Sequence, residues 1–278
     1  MSCPLCDGTG WKPIEEHGVT RMMRCDCWRE TLSAQLLQSA NIPTRYSHCS
    51  LERFVIYENP RLVRAVERVK RFVEAFPTEK GMCLIGPHGI GKTHLAVAAL
   101  RQVIVQYRVT GLYFETTRLL KTIRETYGSS RDLAEMDVLR PVLDAQVLVL
   151  DDLGKEKPSE WVSETLNLIV DSRYNYKLLT VFISNYEDTP DIEDPDSLLV
   201  RVGRRIHSRL HEMCDFVEFD GADYRHLPPN GGVDDLMILW KQRGRQDKMP
   251  AKTKGPLRAQ LRDRDRGDLK WSGGKAGR

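Results

Sequence analysis

No apolar run in the 278-residue sequence approaches the about 20 residues that a membrane-spanning helix requires. The first residues also lack an apolar signal segment, so the expected location is cytoplasmic, with no membrane partner. No internal repeat recurs along the chain, which argues against a solenoid or propeller. Cysteine is scarce past residue 28, where only Cys49, Cys83 and Cys214 remain of the seven. These three are isolated and lie in or near core patterns, so they read as buried thiols and not as a disulfide framework. At 41% hydrophobic residues, the chain has the apolar content for one large domain or two small ones.

The other four cysteines crowd the N-terminus. Cys3 and Cys6 form a C-x2-C pair, and after 18 intervening residues Cys25 and Cys27 form a C-x-C pair. In a reducing cytosol, four thiolates at this spacing suit one tetrahedral Zn2+, with His17 as a spare ligand. Four protein ligands leave no open position for catalysis, so the metal is structural. A segment this short cannot bury enough apolar surface to fold alone, and the metal would supply its folding free energy.

A net charge of +3 hides an asymmetry. Residues 241–278 hold 13 Lys/Arg against 4 Asp/Glu, leaving the first 240 residues at −6. Such a tail is expected to be disordered or transiently helical. It serves either as an arm attracted to nucleic-acid phosphates or as a solubilising extension.

Four segments follow from the pattern: a zinc-binding module over 1–28, a connector over 29–58, a domain of alternating strand and helix signals over 59–226, and loop with basic tail over 227–278. In the third, Asn59 and Pro60 suit a helix start, and Leu62, Val66, Val69, Val73 and Phe76 line one face. Near-continuous apolar strands ("MCLIG", "GLYF", "AQVLVLDD", "LLTVFISN", "DFVEFD") alternate with helical stretches. That alternation predicts an α/β fold with a parallel sheet covered on both faces.

"GPHGIGKTH", residues Gly86, Pro87, His88, Gly89, Ile90, Gly91, Lys92, Thr93 and His94, carries the phosphate-loop pattern between a strand and a helix. Its glycines let backbone N–H groups face phosphate oxygens, Lys92 reaches the β- and γ-phosphates, and the Thr93 hydroxyl ligates Mg2+. The helix N-terminus adds partial positive charge. "VLVLDD" ends an apolar strand in two carboxylates: Asp151 as partner of Mg2+ and Asp152 to polarise an attacking water. Asn185, after "TVFIS", would orient that water or touch the γ-phosphate. Arg204, Arg205, Arg209 and Arg225 either neutralise charge on a transferred phosphoryl group or form an ordinary basic face. A small-molecule kinase would need an acceptor pocket and a mobile lid, and the sequence offers neither.

Together with "IPTRYSHCSLERF", "TTRLLKTIRETY" and "RRIHSRLHEMCDFVEFDGADYR", these motifs resemble the DnaC/DnaI-like family of bacterial replicative-helicase loaders. Those loaders are AAA+ ATPases related to the IstB transposition helpers, and the resemblance runs from about residue 41 to residue 226. It implies an ASCE-type five-stranded parallel sheet, ATP with Mg2+, and self-assembly into a spiral or ring with nucleotide near the subunit interfaces. Gly91, Lys92 and Thr93 then correspond to Walker A, Asp151 and Asp152 to Walker B, and Asn185 to sensor 1. Arg205 corresponds to the finger that reaches a neighbour's ATP, Arg209 to its companion and Arg225 to sensor 2. The family often has an acid where Arg204 stands, which leaves the choice between Arg204 and Arg205 open. It also implies single-stranded DNA binding, with Phe114, Thr116, Thr117, Arg118 and Lys121 as candidates. The alternative is that Phe114 is core and the cations form a solvated face.

The expected function is therefore an ATP-hydrolysing loader of a hexameric replicative helicase, with the zinc module docking on that partner. An IstB-like helper acting on duplex DNA and a transposase is the second reading. A nucleotide-gated DNA adaptor with negligible hydrolysis is disfavoured by the paired Asp151 and Asp152.

Overall fold

The computed structural model describes residues 3–126 and 132–246. Its first elements are the antiparallel strands β1 (Trp11–Glu16) and β2 (Val19–Arg24), paired from Trp11↔Arg24 to Glu16↔Val19. A two-residue turn joins them, with His17 at φ 53° and Gly18 at φ 77°, the paired positive φ values that match hairpin twist. Helix α1 (Cys27–Ser39) follows and starts on a cysteine of the N-terminal cluster.

Helix α2 (Pro60–Glu74) begins as its residue types dictate. The Asn59 side chain accepts from the N–H groups of Arg61 (3.0 Å) and Leu62 (3.3 Å), and proline fills the first helical position. Then come β3 (Gly81–Ile85), α3 (Lys92–Tyr107), β4 (Gly111–Glu115), α4 (Thr116–Thr126), α5 (Asp132–Asp144), β5 (Val147–Asp151) and α6 (Glu160–Asn175). The chain continues through β6 (Leu179–Ser184), α7 (Leu198–Met213), β7 (Cys214–Glu218) and α8 (Val233–Gln246).

Strands β3 to β7 form one parallel sheet in the order β4-β5-β6-β3-β7. β3, β5 and β6 are buried along their whole length, because helices cover both faces. The two-residue period of a strand splits their side chains between two cores. Met82, Leu84, Val149 and Val181 pack with α2, α3 and the 40–57 segment. Cys83, Ile85, Leu150 and Phe182 pack with α4, α5, α6 and α7.

Two sequence expectations are refined. The connector is part of the core, with Ala40, Leu51, Phe54 and Tyr57 buried. The stretch expected to be loop and tail contains α8, whose Leu236 is fully buried and whose Trp240 packs on Tyr57 with ring centroids 6.0 Å apart. The apolar group Leu236, Met237, Leu239 and Trp240 gives this helix a face to dock, and the charges around it obscured that face. The expected disorder of the remaining tail lies outside the described residues.

One buried cation stands out in the second core. Arg173 of α6 is fully buried and donates to Thr180 Oγ1 (2.8 Å) and to the carbonyls of Val142 (2.9 Å), Ala145 (2.8 Å) and Leu179 (2.7 Å). It satisfies the C-terminal carbonyls of α5, where a helix dipole favours positive charge. Burial brings its guanidinium down to about 10.

Candidate functional site

The phosphate loop joins the end of β3 to the start of α3, at the carboxyl edge of the sheet, where ligands of parallel sheets bind. Gly91 adopts φ 92°, and a Cβ there would run into the Phe54 ring. The glycine is thus required by both backbone conformation and the close approach of the connector. Lys92 Nζ is held inside the loop, donating to the carbonyls of Gly86 (2.7 Å) and Pro87 (2.6 Å) and to Asn185 Oδ1 (2.7 Å). Burial lowers its ammonium to about 8, against the opposing pull of Asp151 and Asp152.

Asp151 ends β5 and is buried, and burial raises its carboxyl above the usual range. Three hydrogen bonds oppose that shift, from Tyr113 OH (2.8 Å) and Thr93 Oγ1 (2.9 Å) to Oδ2 and from the Asp152 N–H (2.8 Å) to Oδ1. Neighbouring residues on a strand point to opposite faces, yet both aspartates line one cleft. The reason is Asp152's φ of 57°, a left-handed turn that aspartate tolerates and that swings its side chain round. Asp152 Oδ1 accepts from Asn185 Nδ2 (3.0 Å), and Lys155 Nζ donates to Oδ2 (2.7 Å). Lys92, Asn185, Asp152 and Lys155 therefore form one hydrogen-bonded chain across the ends of β3, β5 and β6.

This cleft, about 140 Å³, is lined by His88, Gly89, Gly91, Lys92, Thr93, His94, Asp151, Asp152, Asn185 and Arg225, with Arg45 and Tyr46 added from the connector. It opens beside a larger one of about 780 Å³ that shares His88, Asp152, Asn185 and Arg225. Ile90 is fully buried and belongs to the first core. Tyr113, Lys155, Arg45 and Tyr46 are members of the site that sequence reasoning did not assign. Arg45 and Tyr46 lie in the "IPTRY" motif, which carries the family resemblance without a role for either, and nothing local marks Tyr113 or Lys155.

Arg205 and Arg209 do not line this cleft. Both pair with Asp171 on α6, Arg205 at 2.7 Å, while Arg205 remains largely exposed. They follow Gly203, where α7 departs from helical geometry at φ 81° and ψ 156°. Arg204 is exposed.

The DNA candidates divide. Thr116 is not open to DNA: it is fully buried and its hydroxyl donates to the Asp151 carbonyl (2.8 Å). Phe114 is half-buried against the second core. Arg118 and Lys121 are exposed on α4, Lys121 facing Glu125 at 3.8 Å, and Thr117 is partly buried.

At the N-terminus the hairpin brings the two cysteine pairs together at its open end, where the Cys25 N–H donates to the Gly10 carbonyl (2.8 Å). Cys3 and Cys25 Sγ atoms are 3.7 Å apart, Cys6 and Cys27 3.4 Å, and all four lie within 4.8 Å of one another. Four thiolates 2.3 Å from a tetrahedral zinc would be about 3.8 Å apart, so the donor set fits that ion. His17 does not belong to it. It lies at the hairpin tip, six register pairs from the cysteines, roughly 20 Å at strand spacing.

Residues 28–227 match the family model described as IstB-like ATP binding protein. The chain belongs to that family. The match starts where the cysteine cluster ends. Among curated relatives, the phage-like element PBSX protein XkdC of Bacillus subtilis (strain 168) is 26% identical over 236 residues, 80% of this chain and 84% of its own. YqaM of the same organism is 27% identical over 75% of this chain, which spans 66% of YqaM's length. The replicative helicase loader DnaC of Escherichia coli (strain K12) is 24% identical over 70% of this chain and 77% of its own. Among solved structures, the DnaC helicase loader superposes with a TM-score of 0.57 at 30% identity, covering 64% of this chain and all of that one. DnaI superposes at 0.52 and 26% identity, covering 64% and 95%. The five-stranded parallel sheet flanked by helices is the fold of these neighbours.

Proposed function

We propose that this protein is an ATP-hydrolysing loader that delivers or remodels a replicative DNA helicase. The observation that carries the reading is the linked set at the sheet edge, Lys92–Asn185–Asp152 beside Thr93–Asp151. Similarity to DnaC and DnaI supplies the partner class.

Lys92 donates to loop carbonyls at the phosphate loop, contacts that it would exchange for ATP phosphate oxygens. Thr93 and Asp151 would hold Mg2+, which supplies charge neutralisation at the phosphates. Asp152, aimed by Asn185 and Lys155, orients and deprotonates the attacking water. Asn185 touches both Lys92 and Asp152, so it relates the state of the phosphate end to the position of the base. Arg225 faces the cleft from the turn after β7. Arg205 acts in trans, leaving Asp171 to meet a neighbour's phosphates in a spiral or ring, with Arg209 beside it. Phe114, Thr117, Arg118 and Lys121 remain the single-stranded DNA contacts, and the basic tail a second attraction. Cys3, Cys6, Cys25 and Cys27 hold a structural Zn2+, and that module docks the loader on its helicase in the cytoplasm. The zinc module over 1–28 and the ATPase domain over 59–226 belong to this proposal, with the connector and α8 packed on that domain's core.

The test is co-purification of the full chain, with ATP and Mg2+, against a hexameric replicative helicase and against a transposase. Stable capture of the helicase, lost in Cys3→Ser, is expected. Capture of the transposase on duplex DNA instead would replace this reading with the IstB-like helper.

A further inference from the structure

Outside the sheet-edge cleft and the cysteine cluster, three side chains bring metal-ligating atoms together: Asp188, His207 and His211. The two histidines sit four residues apart on α7, so both project from one face of the helix. Asp188 comes from the segment after β6. That segment is pinned by the Glu187 N–H on the Asp196 carbonyl (3.2 Å) and the Leu198 N–H on the Glu187 carbonyl (2.8 Å). His207 Nε2 lies 2.7 Å from Asp188 Oδ1, and His211 Nε2 lies 3.2 Å from Oδ2. The His211 ring stacks on Phe216, with centroids 4.2 Å apart and planes 12° from parallel. The ring is thereby held in the orientation that points Nε2 at the carboxylate. All three ligand atoms fall within 4.8 Å of one another.

We propose that Asp188, His207 and His211 form a second transition-metal site, for Zn2+ or a similar N/O-preferring ion. Donors 2.0–2.1 Å from a tetrahedral zinc would be about 3.3 Å apart, which the His211–Asp188 separation already meets. His207 gives up its hydrogen bond to Asp188 and opens by about half an ångström. Two imidazoles and a carboxylate suit zinc, cobalt or nickel over Mg2+ or Ca2+. His207 and Asp188 are mostly shielded and His211 is half-exposed, which leaves one position open to water. The site would clamp α7, the helix that carries Arg204, Arg205 and Arg209, to the segment that follows Asn185.

Zinc and cobalt titrations of the full chain test this, with wild type, His211→Ala and Asp188→Asn compared. Wild type is expected to retain two zinc ions per chain after dialysis against micromolar free zinc, and each variant one. The second cobalt equivalent should add weak visible bands without the intense near-ultraviolet thiolate absorption of the cysteine site. Matching thermal melts of wild type and variants in chelator show that the variants are folded. One zinc in wild type, or two in His211→Ala, overturns the proposal.

Discussion

Replacing Tyr113 by phenylalanine removes a single oxygen atom from the site and nothing from its packing. That oxygen donates at 2.8 Å to Asp151 Oδ2, on a carboxylate that burial already pushes above its ordinary 3.8. A hydrogen bond to a buried charged group contributes about 1.5–3 kcal/mol. At pH 7 the nucleotide-free Tyr113→Phe chain should therefore be less stable by about 2 kcal/mol, a fall in Tm of about 4–8 °C. The pH dependence identifies the cause. The tyrosine holds the folded-state carboxyl down, so its removal raises that carboxyl further above the unfolded value. A raised group retains its contribution below the unfolded pKa and loses it as pH climbs through the folded one. The variant's deficit is thus larger at neutral pH and shrinks as pH approaches 4, where only a neutral hydrogen bond of about 1 kcal/mol separates the two chains. Denaturant unfolding of both proteins from pH 8 to pH 4, without nucleotide or Mg2+, measures it. A deficit that stays constant over this range, or no deficit at pH 7, would refute the claim that Tyr113 stabilises the Asp151 charge.

Three further outcomes follow from the same geometry. Phosphate oxygens favour the charged form of Lys92, whose free-protein value is about 8, so loss of its proton should lower ATP affinity as pH rises above 7. It should weaken about fivefold between pH 8 and pH 9, and calorimetric titration showing no change would contradict the burial argument. Arg173→Met strands the carbonyls of Val142, Ala145 and Leu179 in the core, and should cost about 3 kcal/mol or more of unfolding free energy. Cys27→Ser should lose the N-terminal zinc while His17→Ala keeps it, and metal analysis reversing that order would overturn the four-thiolate assignment.

The parts of the site legible in the sequence are those carried by contiguous residues. The phosphate loop, the aspartates ending β5 and Asn185 after β6 each sit in a short motif whose strand or helix context is also local. Tyr113 was not legible, because its role depends on the register that sets β4 against β5, and Lys155 was not, because its contact follows from the left-handed turn at Asp152. Thr116 looked like a polar residue free for DNA, but the same register turns it under Asp151 and buries it. His17 looked available to zinc until the turn at residues 17 and 18 placed it at the far end of the hairpin. Nothing local marks Arg173, and only the convergence of α5, α6 and β6 shows that it is enclosed. The α8 face was visible as five successive apolar residues, Leu236 to Trp240, but the surrounding charge outweighed them.

The central claim is that the linked residues at the sheet edge hydrolyse ATP. Phosphate release from ATP and Mg2+ should be measured for wild type and Lys92→Ala, with and without single-stranded DNA. Steady turnover by wild type and its loss in Lys92→Ala is the predicted result. No phosphate release by wild type under any of these conditions, or equal turnover by both proteins, would contradict the account.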